Sequence, residues 1–560
     1  MFLLRNLNKY LPIPFFLFIS SVKADPVLQT DQTIKNIEIQ NQERYRKLEE
    51  TRRVIRGQKQ QPNSIIVNFP PEASCFKINQ VDVINREKLP LWLPVKRVTS
   101  QAISRCLGIN GIRALATTLQ NQLIKSGYIT TQVAIPNQNL SSGKLTLKII
   151  PGYINQIRLT PDSNSYVSLA AAFPDKKGDL LDLRSLEQAL ENLQRVPGVD
   201  AHFNLLTGDQ IGQTDIEITR TKPKYWSIGG WLNDAENRSL GRYQSGIYLT
   251  LNNITRLNDM FYASVSREIK PVKNKQSRNG TFFYSLPVGY WNFDFYASQS
   301  NILRTIRVAD FNYRYRGKNN YLKFQANRVM YRSSLQKATL NLGLQRQMAR
   351  YYINDTELPV QRKNMVKWEL GFSHRLWLRS AVIDSSLAYQ RNTSRFGATP
   401  LPEVTSGLAD SDGRKVVIDV TATLPFQWLK QNMSFSTRYR QQFTPDKLSV
   451  LDKFSMGNRY TVRGFDGEMN LMGDKGLIVS NELNWYIPNS RQRLFVGLDY
   501  GQVSKNTNGF KNNKLAGSVL GMRGNFSVFG YEAFIGTPIY KPNDFVTDNL
   551  TAGFSVNWRF

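Results

Sequence analysis

The chain has 560 residues, with 73 Lys plus Arg against 43 Asp plus Glu, a formal net charge of +30 and a mean hydropathy of −0.39. That length allows several domains, and the charge leaves nucleic acid, an anionic membrane surface and a pore lined with basic groups all open. After residue 24 no apolar run reaches the ~20 residues a spanning helix needs, which excludes a helical membrane protein but not a barrel, whose strands are apolar only at every second position.

Residues 1–24 read as a secretory signal. Arg5 and Lys9 precede the apolar stretch Leu11–Ile19, and Val22-Lys23-Ala24 supplies small residues before Asp25. Residues 25–56 are helix-prone, with no glycine and no proline after Pro26. A helix polar on nearly all faces must sit in water, pair its charges or fill a polar cavity. Residues 57–68, with Gly57 and Pro62, read as a linker.

Residues 69–151 form a compact α/β unit. Ile112, Leu115, Leu119, Leu123 and Ile124 fall at helical spacing and Gly127 stops the helix; strands are expected over Thr130–Ile135 and Lys144–Ile150. This unit holds the only two cysteines, Cys75 and Cys106. In an exported chain such a pair favours a disulfide, with two buried free thiols as the alternative. Residues 152–222 repeat the plan. A strand at Tyr153–Leu159 precedes a helix at Leu183–Gln194, with Leu183, Leu186, Leu190 and Leu193 on one face, then Pro197-Gly198 and an alternating strand at Thr214–Ile218.

From Pro223 the helical period disappears. Trp291, Phe293, Phe295 and Ala297 alternate with polar neighbours, as do Ile418, Val420, Ala422 and Leu424; Arg438 and Arg440 continue another polar face. Residues 223–560 suit sixteen strands of about 21 residues each with its connection. A soluble β-sandwich also alternates, but three features favour a barrel: aromatics at strand ends, arginines on polar faces, and a last strand in which Phe554, Val556, Trp558 and Phe560 alternate with Ser555, Asn557 and Arg559. Between two strand-like stretches lies a Gly- and Asp-rich loop, Met456–Gly476, containing Val462-Arg463-Gly464-Phe465. Arginine offers five donors in a rigid fork, and carboxylates facing the lumen are its natural partners.

Enzyme motifs are missing. His202 and His374 are the only histidines, neither in an HExxH pattern; no G-x-S-x-G elbow or Walker loop occurs, and Asp410-Ser411-Asp412-Gly413 lacks the further ligands of a calcium loop. The chain is read as neither an enzyme nor a cofactor or metal protein. Nucleic-acid binding explains the charge but not the export signal or the alternation.

Several ordered segments carry a family resemblance: Gly127-Tyr128-Ile129-Thr130-Thr131, Leu140-Ser141-Ser142-Gly143-Lys144-Leu145-Thr146-Leu147 and Pro151-Gly152-Tyr153-Ile154 in the first unit; Leu183–Leu193 with Val196-Pro197-Gly198-Val199 in the second; and Ser285-Leu286-Pro287-Val288-Gly289-Tyr290-Trp291 beyond them. With these the chain resembles the outer-membrane transporters of two-partner secretion, the TpsB family. The resemblance implies a mainly β protein: a sixteen-stranded transmembrane barrel over 223–560, POTRA domains over 69–151 and 152–222 in the periplasm of a Gram-negative cell, a plug helix at 25–56, and a loop at 453–476 folded into the pore. It further implies that Arg463 pairs with Asp499, with Glu482 nearby, that Gly464 permits a sharp turn and that Phe465 wedges against the inner wall. Trp558 and Phe560 would serve as the terminal-strand signal. The implied function is ATP-independent secretion of a large β-helical partner, a hemolysin or cytolysin, a contact-dependent inhibition toxin or an adhesin, bound unfolded by the POTRA domains. Ile129, Val133 and Ile135 beside a strand edge are the candidate cargo contacts. Outer-membrane lipids and lipopolysaccharide complete the expected partners of a monomer; a passive porin or a barrel-assembly factor is the competing reading.

Overall fold

The computed structural model describes residues 26–50, 64–222, 224–270, 274–308, 311–504, 509 and 512–560. The signal-like segment 1–24 lies outside them, as does the stretch 51–63.

The first α/β domain is a three-stranded sheet. Gln80–Ile84 runs parallel to the central strand Lys144–Ile150, which pairs on its other side, antiparallel, with Gln132–Ala134. The predicted strand over Thr130–Ile135 is thus only three residues long. Helix Ile109–Lys125 covers one face, burying Ile112, Leu115, Leu119 and Leu123 against Leu145, Leu147 and Ile149. Its first turn is tied down twice. Cys75 and Cys106 form a disulfide across the short ladder Phe76–Lys77 and Cys106–Leu107. The Glu72 carboxylate accepts from the amides of Gly108, Asn110 and Gly111, each at 2.8 Å. Desolvation opposes ionisation of Glu72, and the three amide donors outweigh it, holding its carboxyl below the ordinary range.

The second domain repeats the plan, with Tyr153–Leu159 parallel to the central Gln213–Arg220 and Ala201–Thr207 antiparallel to it. Helix Leu183–Gln194 packs Leu186, Ala189 and Leu193 on Ile216 and Ile218, and the Asp182 side chain accepts from the Arg184 amide at 2.8 Å to cap it.

Sixteen long antiparallel strands, from Trp226–Asn233 to Thr551–Arg559, close into a barrel, with a two-residue strand at Thr356–Glu357 paired to one of them. The last strand meets the first in a register running from Ser555↔Asn233 to Arg559↔Gly229. Trp558 lies over Gly230, where an added Cβ would meet its indole at 2.4 Å, and the Phe560 amide donates to Ile228 O at 2.9 Å, so both terminal aromatics belong to the closing seam. Exposed aromatics gather at the end of the barrel nearest the α/β domains: Trp226, Trp428, Phe526 and Phe560 are 57%, 62%, 73% and 54% exposed. This is the interfacial girdle of a barrel in lipid. Three strands, Trp291–Val308, Phe311–Arg332 and Gln336–Ile353, are 18, 22 and 18 residues long. That exceeds the ~9–11 residues needed to cross a bilayer, so they project beyond it at the far end.

The helix Pro26–Glu50 stands inside the barrel. Contrary to the expectation from its composition, the helix is not polar on nearly all its faces. Ile34 and Ile37 are 1% and 2% exposed and pack against Leu240, Ile302, Tyr315, Tyr351 and Leu451 of the wall and loops. Short apolar patches in the lumen meet these isoleucines, while Asp31, Lys35, Asn36, Gln40 and Glu43 meet polar or charged partners.

Candidate functional site

Two elements fill the lumen, the N-terminal helix and the long loop between the strands Gln431–Phe443 and Gly476–Tyr486. The loop folds back on itself through the pairing of Phe454–Met456 with Leu471–Gly473. At its tip Arg463 spends its fork on the wall. Nε and Nη2 donate to Asp499 Oδ2 and Oδ1 at 2.8 and 2.9 Å, Nη1 to Glu482 Oε2 at 2.6 Å, and Nη2 also to Asn481 O at 3.1 Å. The Arg463 backbone amide adds a bond to Asp499 Oδ2 at 2.8 Å. Arg523 grips Glu482 from the other side, both contacts at 3.0 Å, and its guanidinium lies 3.8 Å above the Phe495 ring. The Asp499 side chain is 0% exposed and that of Arg463 17%, so the pair is largely out of water, where a two-pronged ionic contact gains most. Val462 and Phe465 are buried with Phe454, Met456, Leu471 and Leu515, and Phe465 meets Phe545 edge-on at 5.7 Å.

Glycines clear the path for this loop. A Cβ on Gly497 would meet Arg463 Nη2 at 2.5 Å, and one on Gly517 would meet the Arg463 carbonyl oxygen at 2.1 Å. Gly464 itself has φ +98, and a side chain there would strike the Thr537 carbonyl at 2.5 Å. The inner face of strand Gln492–Val503 therefore reads Phe495, Gly497, Asp499, Gly501: a carboxylate set between two gaps.

The helix is held from Asp31 to Glu43. Lys363 donates to Asp31 at 2.6 Å while also binding Glu403, and the Tyr351 hydroxyl donates to the same Asp31 carboxylate. Lys35 reaches Leu451 O at 2.8 Å, Asn458 donates to Asn36 Oδ1 at 3.1 Å, and Gln40 donates to Ala235 O at 3.0 Å. Arg438 bridges Glu43 at 2.8 Å and Asp419 at 2.7 Å. At 1.5 Å per residue, Asp31 to Glu43 covers roughly 18 Å of pore. Because Leu451 and Asn458 belong to the loop segment, helix and loop are bonded to each other as well as to the wall.

A closed sixteen-stranded barrel with two α/β domains before it, an inner helix and an inward loop is the architecture of a known group of proteins. The family model described as haemolysin secretion/activation protein ShlB/FhaC/HecB matches residues 212–524, preceded by a ShlB-type POTRA domain over 76–152 and a further POTRA domain over 153–206. The chain belongs to this family. The outer membrane transporter CdiB-2 of Burkholderia pseudomallei is 30% identical over 512 residues, 88% of each chain, and the hemolysin transporter protein ShlB of Serratia marcescens is 24% identical over 71% of each. The solved structure of CdiB from Acinetobacter baumannii superposes with a TM-score of 0.83 at 25% identity, covering 96% of this chain and all of that one. The protein is therefore an outer-membrane translocator of two-partner secretion, with its POTRA domains in the periplasm.

The second POTRA domain is docked on the barrel through the polar side of helix Leu183–Gln194. Asn192 donates to Gly289 O at 2.8 Å, Ser185 and the Tyr290 hydroxyl share a 2.7 Å bond, and Arg195 reaches Ser285 at 2.6 Å and Asn292 at 2.8 Å. From the wall, Arg332 binds Glu191 at 2.8 Å, and Lys337 binds Glu191 as well. The segment Ser285–Trp291 is thus a docking turn at the periplasmic mouth. Burial pushes the carboxyl of nearby Asp175 up to about 6, opposed by a Ser185 hydrogen bond.

The three apolar residues named as candidate cargo contacts stand in different surroundings. Ile129 packs on the core of the second POTRA domain, Val133 packs on that of the first, and only Ile135 is exposed, at 41%. The strand edge beside them is occupied too: the Val133 amide donates to Gln120 Oε1 at 2.8 Å and Gln120 donates to Thr131 O at 2.7 Å. Sequence reasoning missed Arg523, the glycine gaps and the docking face. The alternation of Gly497, Asp499 and Gly501 along one strand was the available signal for the gaps.

Proposed function

We propose that the exported partner is taken up unfolded at the free edge of strand Gln80–Ile84 in the first POTRA domain, then threaded through the lumen once helix and loop have moved aside. Among the described residues this strand has a single neighbour, Lys144–Ile150, leaving one row of main-chain donors and acceptors for an added strand, and that carries the reading. The following loop presents Leu91 and Trp92, 90% and 66% exposed, as apolar surface for cargo side chains. The similarity to CdiB transporters over most of both chains favours a toxin of contact-dependent inhibition as cargo, ahead of a hemolysin or an adhesin. The protein acts as a monomer, its barrel having no open sheet edge through which to recruit a second copy. With no nucleotide in the periplasm, folding of the emerged cargo makes backsliding unfavourable.

A photoreactive residue at position 84 tests this. Illumination during export of a co-expressed partner is expected to give a partner adduct from position 84 and none from position 135. Adducts from 135 alone would move the docking edge to the opposite side of the sheet.

A further inference from the structure

The outer wall carries a row of positive charge that export does not use. Register partners across five consecutive strands place Arg267 opposite Arg278, Arg278 opposite Asn301, Asn301 opposite Lys318 and Lys318 opposite Arg350. All five share a face with Val265, Phe282, Ala297 and Leu322, so that face is the one turned to lipid. Two of the four juxtapositions set like charges directly across a strand pair, an arrangement that is destabilising unless an anion lies between them. Higher on the same wall Arg314 and Arg316 are neutralised by Asp355, at 2.7 and 2.8 Å. No described carboxylate lies within ion-pair range of Lys318 or Arg350; the Lys318 ammonium instead sits 5.3 Å from the Tyr352 ring centre.

The height of the row is informative. Trp291 marks the periplasmic interface, and Asn301 stands ten residues farther along the same strand. At about 3.3 Å per residue and a tilt of about 40°, that is roughly 25 Å, the height of the apolar band of such a barrel. The row therefore lies where the outer leaflet's headgroups begin. Immediately below it come Gln299 and Asn320, two amides on the lipid face, and below and beside them an open hollow of about 700 Å³ with mostly apolar walls, including Val265, Leu322 and Met348. Charge, amides and apolar hollow follow one another down the wall in the order of phosphate, sugar or ester, and acyl chain.

We propose that this surface is a binding site for a phosphorylated glycolipid of the outer leaflet. Its phosphates bridge the Arg267–Arg278 and Lys318–Arg350 pairs, its polar backbone meets Gln299, Asn301 and Asn320, and one acyl chain lies in the hollow. The occupant must carry phosphate and acyl chain together, because neither half of the surface accounts for the other. The site rests on the outer-membrane placement of the barrel and is independent of how cargo is bound.

Native mass spectrometry of the detergent-purified full protein tests it, with bisphosphorylated lipid A, its monophosphorylated form and phosphatidylglycerol as separate probes. The wild type is expected to retain one bisphosphorylated lipid A at least about tenfold more strongly than phosphatidylglycerol, with the monophosphorylated form between them. The triple substitution R278Q/K318Q/R350Q is expected to lower that retention about tenfold. The pair R391Q/R414Q should leave it unchanged, because Asp412 and Asp446 already neutralise those arginines at 2.6 and 3.0 Å. Heat-modifiable gel mobility reports folding; if the triple variant loses it, Lys318→Gln alone, which removes one like-charge juxtaposition, is read by the same criterion. Equal retention of phosphatidylglycerol, undiminished binding by the variant read, or an equal loss in R391Q/R414Q would each overturn the site.

Discussion

Replacing Arg463 by alanine is expected to abolish partner secretion while leaving a folded barrel. The substitution removes both guanidinium bonds from Asp499, whose side chain is 0% exposed, and leaves it the backbone amide of residue 463 alone. An uncompensated buried carboxylate costs on the order of 3–5 kcal/mol. The hydrophobic anchors Val462 and Phe465 remain, but the loop tip must then leave the wall or admit water to it. Glu482 loses one of its two arginines and keeps Arg523, so the barrel wall itself is not broken. Secretion of the partner into the medium, set beside heat-modifiable mobility of the transporter, measures both parts. Arg463→Lys should rescue little, because an ammonium cannot present two parallel donors to Asp499 and a third to Glu482. Secretion near the wild-type level from the alanine variant would show that the latch is dispensable.

Deleting residues 26–50 is expected to open the pore. An α-helix with its side chains is a cylinder of about 10–12 Å, and a sixteen-stranded barrel without it retains an aqueous channel. In planar bilayers the deletion should raise single-channel conductance at least about fivefold, with the inward loop limiting what remains. The effect is large because the helix makes its contacts with the lumen through scattered polar bonds and two isoleucines, so its removal leaves no collapsed core behind. Unchanged conductance would mean that the loop alone closes the channel.

Fold and site differ in how far they can be read from residues alone. Alternation such as Trp291, Phe293, Phe295 and Ala297 exposes a barrel strand because lipid on one side and water on the other impose a period of two on every residue. The latch is legible only through the family resemblance: charge chemistry alone favours a solvated loop arginine, because exposed ion pairs contribute little. What escaped depends on three-dimensional coincidence. Ile34 and Ile37 appear as stray apolar residues in a polar helix until Tyr315 and Tyr351 from distant strands arrive beside them. Glu191 and Asn192 look like the wet side of an amphipathic helix, and only the docking turn at Gly289–Tyr290 turns that side into an interface. Ile129 fits a cargo pocket by sequence, yet it sits where two domains abut and is drawn into the neighbour's core.

On the proposed export route, a resting lumen closed by the helix is vacated before cargo passes. The side chains of Asn36 on the helix and Asn458 on the loop are hydrogen-bonded at 3.1 Å, so cysteines at these positions lie within reach of a short bismaleimide, and the two native cysteines are already bonded to each other. In N36C/N458C, the bismaleimide cross-link is expected to stop partner secretion, while each single substitution secretes normally under the same reagent. Full secretion from the cross-linked transporter would contradict the account, because cargo would then be passing a helix that had not moved.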